Sequence, residues 1–105
     1  MSDRLGAIFA ALSDPTRRLI LERVARDGFT SVPELSEQLP ISRQAVAKHL
    51  ASLQGAGLLT RAQAAGREVR YSLRPRALAP AAAWLERTED AWDARLERLK
   101  GTLEG

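Results

Sequence analysis

The 105-residue chain has no cysteine, which excludes disulfides, a thiolate nucleophile and any cysteine-based metal site. It has a single histidine, His49, and no glycine-rich loop of the kind that cradles phosphate, so an enzyme is not expected. No apolar run reaches the roughly 18 residues that a membrane span needs. The opening stretch MSDRLGAIFAAL mixes acid and base and lacks a small-residue cleavage site, so it does not read as a secretory signal. The expected location is cytoplasmic. Internal repeats and low-complexity linkers are absent as well. What the chain does have is a 45% apolar composition, enough for one domain over residues 1–105 with a thin core. A domain of that size often gains stability by burying more surface in an oligomer.

Acidic residues are scarce in one place. Residues 41–76 carry Arg43, Lys48, Arg61, Arg67, Arg70, Arg74 and Arg76 against Glu68 alone. The flanks on either side are mildly acidic, so the whole chain is only +3. A basic centre between acidic flanks is the electrostatic footprint of a nucleic-acid surface. The excess of Arg over Lys also fits a GC-rich genome, but such a bias does not explain why acids avoid this segment.

Periodicity gives the elements. Leu5, Ile8, Phe9 and Leu12 recur at helical spacing and mark a short first helix. Asp14-Pro15 reads as an N-cap with proline at the first helical position, and Leu19, Ile20, Leu21 and Val24 carry a second helix to Gly28. Ser31 and Glu34 have the capping-box spacing and open a third helix through Leu35 and Leu39, which Pro40 ends. Ser42 caps a fourth helix from Arg43 to about Gln54, broken by Gly55 and Gly57. The period then changes to two. Val69, Tyr71 and Leu73 alternate with polar residues, and Leu58 to Gln63 can pair with them as a hairpin turning near Ala64 to Arg67. A final helix runs from about Pro80 to Lys100. The fold class is mainly α with a small β-hairpin, in the order α-α-α-α-β-β-α of a winged helix-turn-helix.

On the fourth helix, Val46, Leu50 and Leu53 share one stripe that faces the core. Gln44, Lys48 and Ala51 project opposite, with Arg43 and Ala47 on the flank. Long donors near the N-terminal end of such a helix can reach base edges, and small residues let its backbone approach the major groove. Any amphipathic surface helix also exposes polar residues, so the surrounding motifs matter.

Those motifs are specific. Leu12-Ser13-Asp14-Pro15-Thr16-Arg17-Arg18 with Ile20-Leu21, Ser42-Arg43-Gln44-Ala45-Val46-Ala47-Lys48-His49-Leu50 with Leu53, Ala56-Gly57-Leu58-Leu59, and Gly66-Arg67 leading to Tyr71-Ser72-Leu73 stand in order over roughly residues 5–75. This stretch resembles the ArsR-type family of bacterial winged-helix repressors. The resemblance implies that Arg43, Gln44, Ala47 and Lys48 face the major groove, and that Arg67 at the wing tip reaches the minor groove or its phosphates. Ser42 reads as a helix cap, with a phosphate contact as the other possibility. Arg17 lies in a region that the family uses near the DNA backbone, although a surface salt bridge fits it equally. His49, on the boundary of the polar face, is a hydrogen-bonded helper or a phosphate contact.

The family's metal sensors use cysteines in the third helix or Asp/His sets in the last. Here the third helix has no thiol and the last has carboxylates without histidine, a poor donor set for zinc or copper. The tail looks like a subgroup without a metal site, so no metal and no cofactor are expected. Leu78, Leu85, Trp92 and Leu99 are seven apart, with Ala82, Leu96 and Leu103 interleaved, Glu89 as the break and Pro80 disturbing the first turn. That a/d seam predicts that the last helix, 80–100, is a dimerisation helix, with Leu5, Ile8 and Phe9 contributing and Trp84 packing beside it. The expectation is a homodimer that binds double-stranded operator DNA and represses by occluding a promoter. A regulator that activates, or one modulated by an organic ligand or partner protein, uses the same surface. A winged-helix module that binds only protein is the alternative of a different class.

Overall fold

The computed structural model describes residues 3–104. Helices α1 (Arg4–Leu12), α2 (Pro15–Asp27), α3 (Val32–Gln38) and α4 (Arg43–Gly55) precede strands β1 (Leu59–Gln63) and β2 (Val69–Leu73), and α5 (Ala79–Glu104) closes the chain. The element order is the one expected, and most boundaries have a local cause. The Asp14 carboxylate accepts the Arg17 N–H at 2.9 Å and starts α2, with Pro15 where a missing N–H costs nothing. Gly28, at φ 92°, ends that helix in a conformation a side chain would strain. The Ser31 hydroxyl accepts the Glu34 N–H, and Ser42 accepts the Ala45 N–H at 3.1 Å. Leu39, held extended by the proline that follows it, turns the chain from α3 toward α4.

The exit from α4 fixes where the hairpin begins. Gly57, at φ 77°, donates to the Gln54 carbonyl, and Leu58 donates to that of Leu53, both at 3.0 Å. This paired closure is a Schellman motif, and its usual apolar contact is supplied by Leu53 and Leu58, both fully buried. The strands then pair antiparallel with Leu59 opposite Leu73 and Arg61 opposite Tyr71. A third, one-residue strand was not foreseen. Thr30, between α2 and α3, exchanges both backbone hydrogen bonds with Tyr71, at 2.9 and 2.8 Å. The hairpin is therefore tied to the helical body on its inner side.

Ile20, Val24, Leu35, Val46, Leu50, Leu53 and Leu58 form the centre of the core, each with no exposed surface. Ile8 belongs to this core at 1% exposure, which corrects its assignment to a partner-facing surface. At helical spacing Ile8 and Ala11 turn inward onto α2, while Leu5 and Phe9 are half-buried at the edge.

The last helix behaves differently. Only its start packs on the body, through buried Ala81 and through Phe9, whose ring meets Trp84 edge to face at 5.5 Å. Every residue from Trp84 to Leu103 is exposed. The helix begins after Leu78, so that residue drops out of the heptad seam, and at the other end it runs a turn beyond Lys100. The chain measures 69 × 28 × 26 Å, with a radius of gyration of 18.6 Å, against about 13 Å for a compact chain of 100 residues. The excess is the projecting part of α5.

Candidate nucleic-acid interface

The turn Leu39–Ile41 sets α4 across α3, and burial of Val46, Leu50 and Leu53 fixes the rotation of α4 about its axis. Once that stripe is inside, Arg43, Gln44, Ala47, Lys48 and Ala51 are exposed together on the outer face. Ser42 is exposed at the head of the same helix and is engaged there as its cap. The free N–H groups at this end add a partial positive charge suited to phosphate.

The hairpin projects beside this face. From Thr60 to Gln63 and from Ala65 to Glu68 every residue is exposed, Arg61 and Arg67 included, and Gly66 makes the turn at φ 71°. Arg70 is held differently from the other bases. Its guanidinium lies 4.0 Å above the Phe29 ring and pairs with Glu68 at 3.3 Å. The single acid of the basic segment is thus neutralised within the wing. Arg43, Lys48, Arg61 and Arg67 form no ion pair among the described residues. Arg70 and Phe29 clamp the wing to the α2–α3 connection, a role the sequence reading missed. The short run Phe29-Thr30 after Gly28 is its only local trace.

The Arg17 guanidinium is engaged within its own protomer. Its Nε donates to the Ala11 carbonyl at 2.8 Å and a terminal nitrogen donates to that of Ala10 at 3.1 Å, while Arg18 reaches the Leu12 carbonyl. Both arginines cap the C-terminus of α1, where carbonyls lack helical partners and the dipole favours cations. Of the two readings of Arg17, no surface salt bridge forms among the described residues, and a contact with the DNA backbone stays a proposal. His49 is 22% exposed in its side chain, and its Nδ1 lies 3.9 Å from the Asp14 carboxylate. The Arg17 backbone N–H, with the charges of Arg17 and His49 adding to it, holds the Asp14 carboxyl below its ordinary range. That contribution to stability is present at neutral pH and is lost as pH falls below the carboxylate range.

A fold of this kind, with an exposed polar helix beside a basic hairpin, is shared with known proteins. A family model described as a helix-turn-helix domain matches residues 12–62. An ArsR-like transcriptional regulator from Rhodococcus sp. RHA1 superposes with a TM-score of 0.81 at 44% identity, over 92% of this chain and 90% of the other. The chain belongs to the ArsR family of winged helix-turn-helix transcriptional regulators. YuzN, an HTH-type transcriptional regulator of Bacillus subtilis, is 44% identical over a 66-residue alignment, with 57% of this chain and 72% of that protein covered. Rv2034, an HTH-type regulator of Mycobacterium tuberculosis, is 48% identical over 69 residues, 66% of this chain and 63% of that one. As an ArsR-family member the protein is a DNA-binding transcriptional regulator and not an enzyme. Among its described residues no group of three His, Asp or Glu side chains converges as metal ligands, and no helix is long and apolar enough to cross a membrane.

Proposed function

We propose that this ArsR-family regulator is a homodimeric repressor that reads an inverted-repeat operator through α4 and grips the flanking backbone with its wing. The observation that carries the reading is the outer face of α4. Arg43, Gln44, Ala47 and Lys48 are exposed together, and every acid is absent from the segment except Glu68, which Arg70 neutralises. Gln44 offers a bidentate amide suited to adenine, Arg43 and Lys48 suit guanine, and Ala47 suits a thymine methyl. Ser42 stands where a capped helix N-terminus meets a phosphate. Exposed Arg67 suits phosphates or the minor groove.

A two-fold dimer joined through α5 sets two such helices against successive major-groove faces, which makes the operator an inverted repeat. Occupying such a site within a promoter blocks transcription, and the regulator acts in the cytoplasm where the DNA lies. Selection of bound fragments from sheared genomic DNA tests the reading. The expected result is a shared inverted repeat with half-sites about one helical turn, or a small multiple, apart. A protein-binding module gives no enrichment and no retention of random duplex on a filter at low salt.

Metal is not part of the proposed signal. With no thiol and one imidazole, the chain offers no set of soft donors for a transition metal. Chelators are expected to leave operator affinity unchanged, and a zinc titration followed by calorimetry should show no tight stoichiometric site. An operator complex that a chelator dissolves or strengthens contradicts this.

A further inference from the structure

We propose that the cleft between the wing and the start of α3 binds a small aromatic carboxylate, and that the bound anion loosens the grip of the wing on DNA. The second part rests on the proposal that the wing holds the phosphate backbone; the first stands without it. The cleft has a volume of about 300 Å³, at the lower end of the range of ligand pockets. Val32 and Pro33 of α3 and Val69 and Tyr71 of β2 give it apolar walls. Arg61 and Arg67 line it as well, and neither forms an ion pair among the described residues. Glu68, the acid in the lining, is taken up by Arg70 at 3.3 Å.

The register of the hairpin explains how these groups meet. Arg61 stands directly opposite Tyr71, and opposed residues project from the same face of a sheet. Alternation puts Leu59, Val69 and Leu73 on that face too. It is the inward face, with Leu59 and Tyr71 buried and Leu73 half-buried, yet Arg61 sets an unpaired cation on it. Tyr71 is 9% exposed, and its hydroxyl has no hydrogen-bond partner among the described residues. A largely covered hydroxyl left unpaired is unfavourable until water or a ligand completes it. Two guanidinium groups and a phenol are all donors, so the complementary group is an accepting anion, and a carboxylate matches the arginine fork. The apolar walls select a ring over a bare ion, because phosphate would leave Val32, Pro33 and Val69 without contact. An anion seated here occupies the two cations of the wing and adds negative charge where the phosphates lie. Ligand and DNA therefore weaken each other by the same factor.

Benzoate and naphthoate are titrated into the full isotope-labelled chain and followed by amide chemical shifts in NMR. Benzamide and acetate, at the same ionic strength, control for the charge and for the ring. Both aromatic acids should saturate with a dissociation constant of about 1 mM or below, moving the amides of Val32, Val69 and Tyr71. Benzamide and acetate should bind about tenfold more weakly or worse. Tyr71→Phe keeps the packed ring and should weaken benzoate about three- to tenfold, the effect of one lost hydrogen bond. Arg61→Ala should weaken it about tenfold or more, since that bond is charge-assisted. Random-duplex affinity, read by fluorescence anisotropy at fixed ionic strength, should fall about fivefold or more in about 10 mM benzoate, and by less in Tyr71→Phe. If neither acid saturates, or if benzoate binds both variants as it binds the wild type, the site is overturned. Binding that depends on Tyr71 but leaves duplex affinity unchanged upholds the site and overturns its link to the wing. The same binding in a protein that holds no duplex at all upholds the site and overturns the DNA-gripping role of the wing.

Discussion

Replacing Trp92 and Leu96 together with aspartate should yield a folded monomer that no longer holds operator DNA. Both side chains lie on the exposed part of α5, at 59% and 39% exposure, and Leu85 and Leu99 flank them at 53% and 54%. A single helix of 26 residues exposing this much apolar surface is marginal in water, since most helical stability in proteins comes from packing of such a face. In the proposed dimer a second copy supplies that packing. Two aspartates buried unpaired in the seam cost several kcal/mol, enough to dissociate a dimer at micromolar concentration. The helical core around Leu50 lies elsewhere, so circular dichroism should stay close to wild type apart from some loss in α5. Separating the two reading helices removes the advantage of simultaneous engagement, and operator affinity should fall by about 10²-fold or more. Sedimentation equilibrium checks the premise. A wild-type protein that sediments as a monomer at micromolar concentration contradicts the dimer.

Where a local signal existed, the sequence was legible. Asp14-Pro15, Ser31 and Ser42 mark helix starts because their side chains bond N–H groups three residues on, within the same segment. The stripe of Val46, Leu50 and Leu53 fixed which face of α4 stays outside, and the change of period at Leu58 located the hairpin. What stayed hidden depends on partners distant in sequence. The pairing of Thr30 with Tyr71 joins segments that no periodicity links. The bonds of Arg17 to the end of α1 were not foreseen, because its carbonyl partners lie across a turn, on the preceding helix. Ile8 was placed outward because the apolar stripe of α1 is wide, and only the packing of α2 against it shows which part turns in. The proximity of His49 to Asp14 is of the same kind, a meeting of two helices that each look ordinary alone.

Base reading and backbone grip should separate by mutation. Gln44 is exposed on α4, opposite a stripe that is fully buried, so Gln44→Ala removes donors without disturbing the core. The expected cost is about 1–3 kcal/mol on operator DNA and much less on random duplex. Lys48→Ala should behave in the same way. Arg67 lies at the exposed turn of the wing, with no ion pair among the described residues. Arg67→Ala should weaken both duplexes alike and lower the salt slope by about one per lost phosphate contact. The ratio of operator to random-duplex affinity across a salt series, measured for the wild type and these three variants, tests the central claim most directly. The account predicts that the ratio collapses in Gln44→Ala and Lys48→Ala and holds in Arg67→Ala, while the salt slope changes in Arg67→Ala. A ratio untouched by Gln44→Ala and Lys48→Ala would show that α4 is not the element that reads the operator.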